Sequence, residues 1–371
     1  MSAGYHLAGM GLKTILFERA APASGPTGRS SAICRAFYTN RFLAQVAHDS
    51  MEMFAAFGEV SGGRDAGFRR TGDLYLLGPS DLAHVAQTAA MLAEIGTEIE
   101  LLTPPELQRR HPELELEGVA IAAWEPRAGY ADPVSTTQGL FQRAIELGLI
   151  PKLYTQVTEI EARAAGGAYV VTSTLERIEC SRLLIAAGPW TKRLTAQLHV
   201  DLPLTVERHF VATFGWHEAP ALPYVLGDVP AEYYMKPEGN ELFLVGPLTS
   251  EPQADPDHYA ASVTPEDVSR MASGITSRIP SIAGADSRGG WASLYDVSPD
   301  WQPVIGEIAP GIFVDAGTSG HGFKLAPALG RHIASLVLGQ EIDEGLSQFE
   351  PGRFAADRQL AAGFGSARIL G

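Results

Sequence analysis

The sequence predicts an α/β chain in which a strand–helix–strand domain is interleaved with a β-rich α+β domain. Three observations carry this expectation. Short apolar strands alternate with amphipathic helices through the first half of the chain and again near its C-terminal end. Between about Leu204 and Gly246 the pattern turns to β instead. The 371 residues suffice for two cores. The expected division places residues 1–67, 131–200 and 297–371 in the first domain, and 68–130 and 201–296 in the second.

Taken in order, Tyr5 to Gly11 reads as the end of a helix stopped by Gly9 and Gly11. Lys13 to Glu18 reads as a short buried strand ending in an acid, the second half of a strand–helix–strand unit whose first strand is missing. A Gly/Pro/Ser-rich loop, Ala23 to Ser31, leads to a helix from about Asn40 to Gly58. Asp73 to Leu77 reads as a strand and Leu82 to Ile95 as an amphipathic helix. Thr103-Pro104-Pro105-Glu106 opens another helix with a capping-box pattern. Asp132 caps a helix over Pro133 to Gly148, with proline in its first turn. Several strands lie between Val157 and Ala187, the last running into the turn Gly188-Pro189-Trp190. Thr205 to Phe214, Glu232 to Lys236 and Glu241 to Val245 are expected strands, and Thr264 to Arg278 an expected helix. The chain then returns to strand (Ile312 to Asp315), glycine turn (Gly317 to Gly322) and helix (Phe323 to Leu338).

Composition narrows the function. A net charge of −15 opposes encounter with a nucleic-acid backbone or an anionic membrane, so neither is an expected partner. No apolar run is long enough to cross a bilayer, and the N-terminus carries no basic leader; cytoplasmic residence is the expectation. Cys34 and Cys180 are far apart and read as small core residues. No His/Cys/Asp/Glu cluster has metal-ligand spacing, and no G-x-S-x-G nucleophile elbow is present.

Four segments have the composition of a site. Glu18-Arg19 closes a strand where an acid can accept hydrogen bonds from a ribose diol, although such an acid is more often a solvated loop residue. In Thr27 to Tyr38, Gly28, Ser30 and Ser31 let backbone amides approach a ligand, flanked by the cations Arg29 and Arg35; a plain surface loop is the competing reading. The Ala186-Ala187-Gly188-Pro189-Trp190 turn follows a buried strand and is either a ligand contact or an ordinary turn. The strongest segment runs from Gly311 through Gly317, Gly320, His321, Gly322, Phe323 and Lys324 to Ala328. Its helix start offers free amides and a positive dipole end, against which Lys324 is unfavourable unless an anion sits nearby. His209 and His321 are candidate proton carriers, weighed against structural roles. Tyr38, Tyr233 and Tyr234 are candidate walls of a substrate cavity.

TGRSSAICRAFY at Thr27–Tyr38, GYADP at Gly129–Pro133, AAGPWT at Ala186–Thr191, and LYDVSPDWQPVIGE followed by DAGTSGHGFKLAPALG together resemble the FAD-dependent D-amino-acid-oxidase superfamily. The similarity lies in the branch with sarcosine oxidase, glycine oxidase and dimethylglycine dehydrogenase and covers nearly the whole chain. It implies a Rossmann-like FAD-binding domain. Glu18 would bind the adenosine ribose, with Arg19 beside it. Arg29, Ser30 and Ser31 would lie along the pyrophosphate and flavin, Val157 and Gly188 on the adenine side, and Gly317, Gly320, Gly322 and Phe323 around the isoalloxazine. Arg35 and Lys324, with His321 beside them, would form the catalytic end, the two cations clamping a substrate carboxylate. The implied reaction is oxidation of the C–N bond of a small carboxylate-bearing amine by hydride transfer to flavin, with oxygen or a redox protein as electron acceptor. The same clamp would also serve a 2-hydroxy acid.

The sequence departs from the family in three places. The N-terminal strand and its G-x-G-x-x-G turn are absent, the third glycine falling just before Met1. The expectation is a true start upstream of Met1, with poor FAD binding or a non-catalytic role for the chain as it stands. Ser293 occupies the place of the cysteine that some sarcosine oxidases bond to flavin, and no histidine lies in Thr27–Tyr38, so the FAD is expected to be non-covalent. Phe243 occupies the approximate place of an oxygen-activating lysine, which favours a dehydrogenase or slow oxidase.

Overall fold

The computed structural model describes residues 1–216, 222–249, 251 and 253–361. Helix starts carry their caps. Asn40 Oδ1 accepts the Leu43 amide at 3.1 Å and opens the helix Arg41–Ala55. Asp132 opens Pro133–Glu146 through the Ser135 amide. Thr264 and Asp267 form a reciprocal box on Pro265–Arg278. Each cap satisfies an amide that the first turn leaves without a helical partner. The helix expected to reach Gly58 ends at Ala55; Phe57–Ser61 is a separate short helix stopped by Gly62 at φ 74°.

One mixed sheet of eight strands dominates the molecule. Its order is Asp286–Val297, Thr205–Gly215, Leu242–Pro247, Tyr233–Glu238, Val225–Asp228, Asp73–Leu77, Ile121–Glu125 and Glu100–Leu102. Only the pair Val225–Asp228 and Asp73–Leu77 is parallel. Alternation along Asp73–Leu77 divides the interior. Tyr75 and Leu77 join a core with Phe37, Leu43, Phe54, Leu325 and Ile333. Leu74 and Leu76 join the opposite core with Phe210, Phe214, Met271 and Ile275.

The parallel strands outside this sheet form two separate pairs. Ile15–Phe17 lies along Ile150–Lys152. Leu183–Ile185 lies along Ile312–Ala316, which also pairs antiparallel with Val304–Ala309. Among the described residues no strand joins one pair to the other. Lys13 to Glu18 was expected as a buried strand; only Ile15–Phe17 is strand, and it is half-buried because it borders a cavity. Two strands lack a clear signal in the sequence. Asp286–Val297 contains Gly289 and Gly290, both at positive φ, and Ile121–Glu125 is an Ala-rich run without apolar–polar alternation.

The opening helix Ser2–Gly9 crosses the last long helix, Gly322–Leu338 (the final helix below; only the single turn Glu344–Ser347 follows it), closely. Ser2 Oγ and His6 Nε2 both donate to the Pro327 carbonyl, at 3.3 and 2.8 Å. At Gly330 a Cβ would stand 2.2 Å from Ser2 Oγ. The glycine is what permits the approach.

Candidate active site

A cavity of about 1750 Å³ runs between the two parallel pairs and the edge of the large sheet. It exceeds an ordinary small-ligand pocket of roughly 300–1,000 Å³. Glu18 leaves the end of Ile15–Phe17 and enters the wall, where its Oε1 accepts the Ala20 amide at 2.8 Å. Arg19 stacks on Trp190, 3.8 Å from the ring centroid, and pairs with Asp257 at 3.2 Å. Trp190 Nε1 and Arg193 converge on the same carboxylate and tie this rim together.

The loop expected to approach a ligand does line the cavity, through Arg29, Ser30 and Ser31. Its shape depends on Gly28, whose Cβ would fall 1.9 Å from the Ala23 carbonyl oxygen. Arg29 donates to Tyr259 Oη at 3.2 Å, while its carbonyl accepts from Trp291 Nε1 at 2.8 Å. Val157 and Gly188 line the same cavity, and Gly188 sits at φ 53° with open space where a Cβ would be.

Gly320, Gly322 and Phe323 supply the wall beneath the final helix. At Gly320 (φ 84°) a Cβ would press on the Tyr295 ring at 2.8 Å. Gly317 does not line the cavity, contrary to expectation. It lies behind the wall at φ 60°, its amide donating to Asp296 Oδ2 at 2.7 Å, with Leu204 and Val304 each 2.9 Å from a would-be Cβ. Its part is to turn the strand so that the next glycines face the cavity.

A smaller cavity of about 60 Å³, roughly four waters' worth of room, adjoins the large one. Ser30, Ser31, Tyr234, Tyr295, Gly320 and Phe323 are common to both walls. Arg35 and Lys324 meet here from opposite ends of the sequence. The Arg35 guanidinium lies 4.5 Å from the Tyr38 ring centroid and donates to the Phe37 carbonyl at 2.5 Å. Lys324 is buried in the first turn of the final helix; burial, and then Arg35, pushes its ammonium down to about 7.

Two acids that the sequence reading did not single out stand beside these cations. Asp73 lines the small cavity at 1% exposure. Its Oδ2 accepts from Tyr75 Oη at 2.5 Å, whereas its Oδ1 has no partner. Glu125 is opposite Asp73 in strand register, and its Oε1 accepts the Ala36 amide at 2.8 Å. Burial raises Asp73 to about 6 and Glu125 to about 8. The signal available in the sequence was an acid and a tyrosine two residues apart in an otherwise apolar strand.

The structure separates the two histidines. His321 was the expected catalytic one, yet it lines neither cavity. It is buried behind the glycine turn, 3.1 Å from Tyr38 Oη through Nδ1. His209 instead forms part of the large cavity's wall, stacked on Tyr295 at 4.5 Å. At 4% exposure both its ring nitrogens lack a partner. Burial, and then Arg208, pushes it down to about 3, so the ring is neutral: a hydrogen-bonding surface, no proton carrier near pH 7. Ser293, opposite it in register, also presents a partnerless hydroxyl.

Of the tyrosines weighed as walls, Tyr234 lines both cavities, while Tyr38 and Tyr233 line neither. Phe243 packs against Phe214 and Trp216 in the far core and so says nothing about oxygen reactivity. The wall fits the cofactor that the resemblance implies. It is long, it offers an acid at one end and a helix start at the other, and its buried His209 and Ser293 have unused hydrogen-bonding atoms.

The family model described as DAO, FAD dependent oxidoreductase, matches residues 1–336. The human mitochondrial dimethylglycine dehydrogenase is 25% identical over 377 aligned residues, which take in 95% of this chain and 43% of that protein. The chain thus spans less than half the length of that relative. Monomeric sarcosine oxidase from Bacillus sp. (strain B-0618) is 25% identical, with 97% of this chain and 95% of that one covered. Among solved structures, L-proline dehydrogenase from P. horikoshii superposes with a TM-score of 0.87 at 23% identity, covering 97% and 96% of the two chains. At that identity the likeness is one of fold.

Proposed function

The chain belongs to the FAD dependent oxidoreductase family, and on that premise we propose that it oxidises the C–N bond of a small amino acid or N-methylated amino acid. The observation that carries this reading is the meeting of Arg35 and Lys324 in a small buried cavity whose walls are shared with the large one. Two cations out of water attract a carboxylate far more strongly than they would on a surface, and a guanidinium fixes its orientation. A substrate so anchored presents the carbon next to its carboxylate toward the shared wall.

Glu18 would hold the cofactor's ribose, Arg29, Ser30 and Ser31 its pyrophosphate and ring, Val157 and Gly188 its adenine side, and Gly320, Gly322 and Phe323 its isoalloxazine. FAD would supply the hydride acceptor once the bound amine has given up its extra proton; the iminium product then hydrolyses to the oxo compound and the free amine. The amides at the Gly322 helix start, at the positive end of the macrodipole, favour negative charge in the group beside them. Tyr234, Tyr295 and Phe323 give the junction of the two cavities an aromatic wall. Attachment is non-covalent in this reading, and the electrons leave to oxygen or to a redox protein.

The test is direct. Flavin-loaded protein denatured in acid should release yellow cofactor. The native protein, mixed without oxygen with a panel of amino acids and N-methyl amino acids, should bleach with at least one. A loaded protein that no amine bleaches, while a 2-hydroxy acid does, would overturn the proposal.

A further inference from the structure

The carboxylate clamp does not distinguish an amine from an alcohol; a third charged group in the same cavity does. We propose that Asp73 receives the cationic amine of the substrate at Oδ1, and so selects zwitterionic amino acids over carboxylates of the same shape. This rests on the reading of Arg35 and Lys324 given above and names the second half of the substrate.

The geometry is specific. Asp73 faces the small cavity from the middle of the large sheet, on a strand hydrogen-bonded on both sides, so its position is fixed by the ladder. Tyr75 holds Oδ2 at 2.5 Å. The oxygen left over, Oδ1, is buried and has no hydrogen-bond donor. An orphaned buried acceptor costs free energy, so a donor that reaches Oδ1 from the cavity is favoured. An ammonium or secondary amine cation supplies the missing donor together with the opposite charge. A hydroxyl supplies a neutral donor, about half as strong, and an ether oxygen supplies none.

The neighbouring charges support this. Arg35 faces Asp73 from the loop before the sheet and Lys324 from the final helix, both lining the same cavity. Glu125 faces it from the adjacent strand, and its carboxyl, raised to about 8, is neutral at pH 7. At pH 7 the space is therefore faced by the anion Asp73, the cation Arg35 and a Lys324 that is about half charged, which matches a ligand carrying both signs.

The experiment compares isosteric pairs: sarcosine with methoxyacetate, and L-proline with tetrahydro-2-furoate. In each pair one cationic nitrogen is exchanged for oxygen. Dissociation constants are measured by calorimetry on flavin-loaded wild type and Asp73→Asn. Wild type should favour the amine of at least one pair. Asp73→Asn should weaken that amine roughly 10- to 100-fold and leave its oxygen isostere within about twofold. Equal losses for both ligands, or an unchanged ratio, overturn the assignment of Asp73 while leaving the clamp in place. A loaded wild type that binds neither member of either pair overturns the clamp as well.

The wild type alone gives an independent arm should the variant fold poorly. The amine-to-isostere affinity ratio should fall toward one as pH drops through about 6, where Asp73 takes up a proton. Tyr75 and Glu125 stay protonated across that range, Arg35 stays charged, and Lys324 acts on the carboxylate common to both ligands. A ratio that is flat from pH 5 to 7 overturns the proposal.

Discussion

Lys324 occupies a position that is unfavourable on several local grounds, a helix N-terminus, burial, and Arg35 nearby, which Asp73 offsets only in part. Its charge gains most when a second anion arrives. Lys324→Met should therefore raise the apparent KM for a carboxylate substrate by roughly 10- to 150-fold, the worth of one charged hydrogen bond, while flavin stays bound. The wild-type KM should climb as pH rises through about 7 and the ammonium is lost, and the variant's should not. Stability runs the other way in the ligand-free fold. The folded lysine releases its proton near 7 and the unfolded one near 10.5, so the unfolded state binds more protons in that window. The wild type's urea midpoint should thus rise from pH 7 toward pH 9 relative to Lys324→Met. Lys324 stood out in the sequence because it breaks a local rule beside glycines, whereas Arg35 stood out only as a cation flanking an apolar stretch and took its role from the resemblance. Asp73 did not, because an acid in a strand announces nothing until register shows what it faces. His209 and His321 were indistinguishable for the same reason.

At the scale of elements, the helices were legible and part of the sheet was not. Asn40, Asp132 and Thr264 announce helix starts through local hydrogen bonds, which sequence reports directly. Asp286–Val297 hides behind its glycines, since Gly290 at φ 152° is there because a Cβ would lie 2.1 Å from the Val211 carbonyl oxygen. That requirement comes from the partner strand, which is remote in sequence. The crossing of the opening and final helices sets up a test between two opposed effects. Alanine for glycine inside a helix ordinarily stabilises by about 0.5–1 kcal/mol. At Gly330 the added methyl meets Ser2 Oγ at 2.2 Å and the Ser2 backbone at 2.8 Å, an overpacking worth roughly 1–3 kcal/mol in the other direction. Gly330→Ala should therefore lower the urea midpoint; a gain in stability would show that the helices yield without cost.

For the molecule as a whole, the interleaving of a parallel-strand region with a β-rich one was legible from the changing period of apolar residues. The single eight-stranded sheet was not, since its strands are gathered from residues 73–125 and 205–297 by pairings that no local pattern specifies. Nor was the extent of the cavity between the parallel pairs. A wall of this size with unsatisfied polar atoms gains by binding. At a hundredfold excess of FAD over its dissociation constant, the folded state should gain about 2.7 kcal/mol, read as a rise in melting temperature. No shift on adding FAD would separate this cavity from the cofactor.

The strands Ile15–Phe17 and Leu183–Ile185 both border that cavity, and among the described residues each has one side whose backbone groups meet no neighbouring strand. If FAD fills the cavity, folding and cofactor supply are joined. Where FAD is scarce the cofactor-free chain is the form that proteases encounter, so cofactor supply would set how much of the protein survives as well as how much of it works.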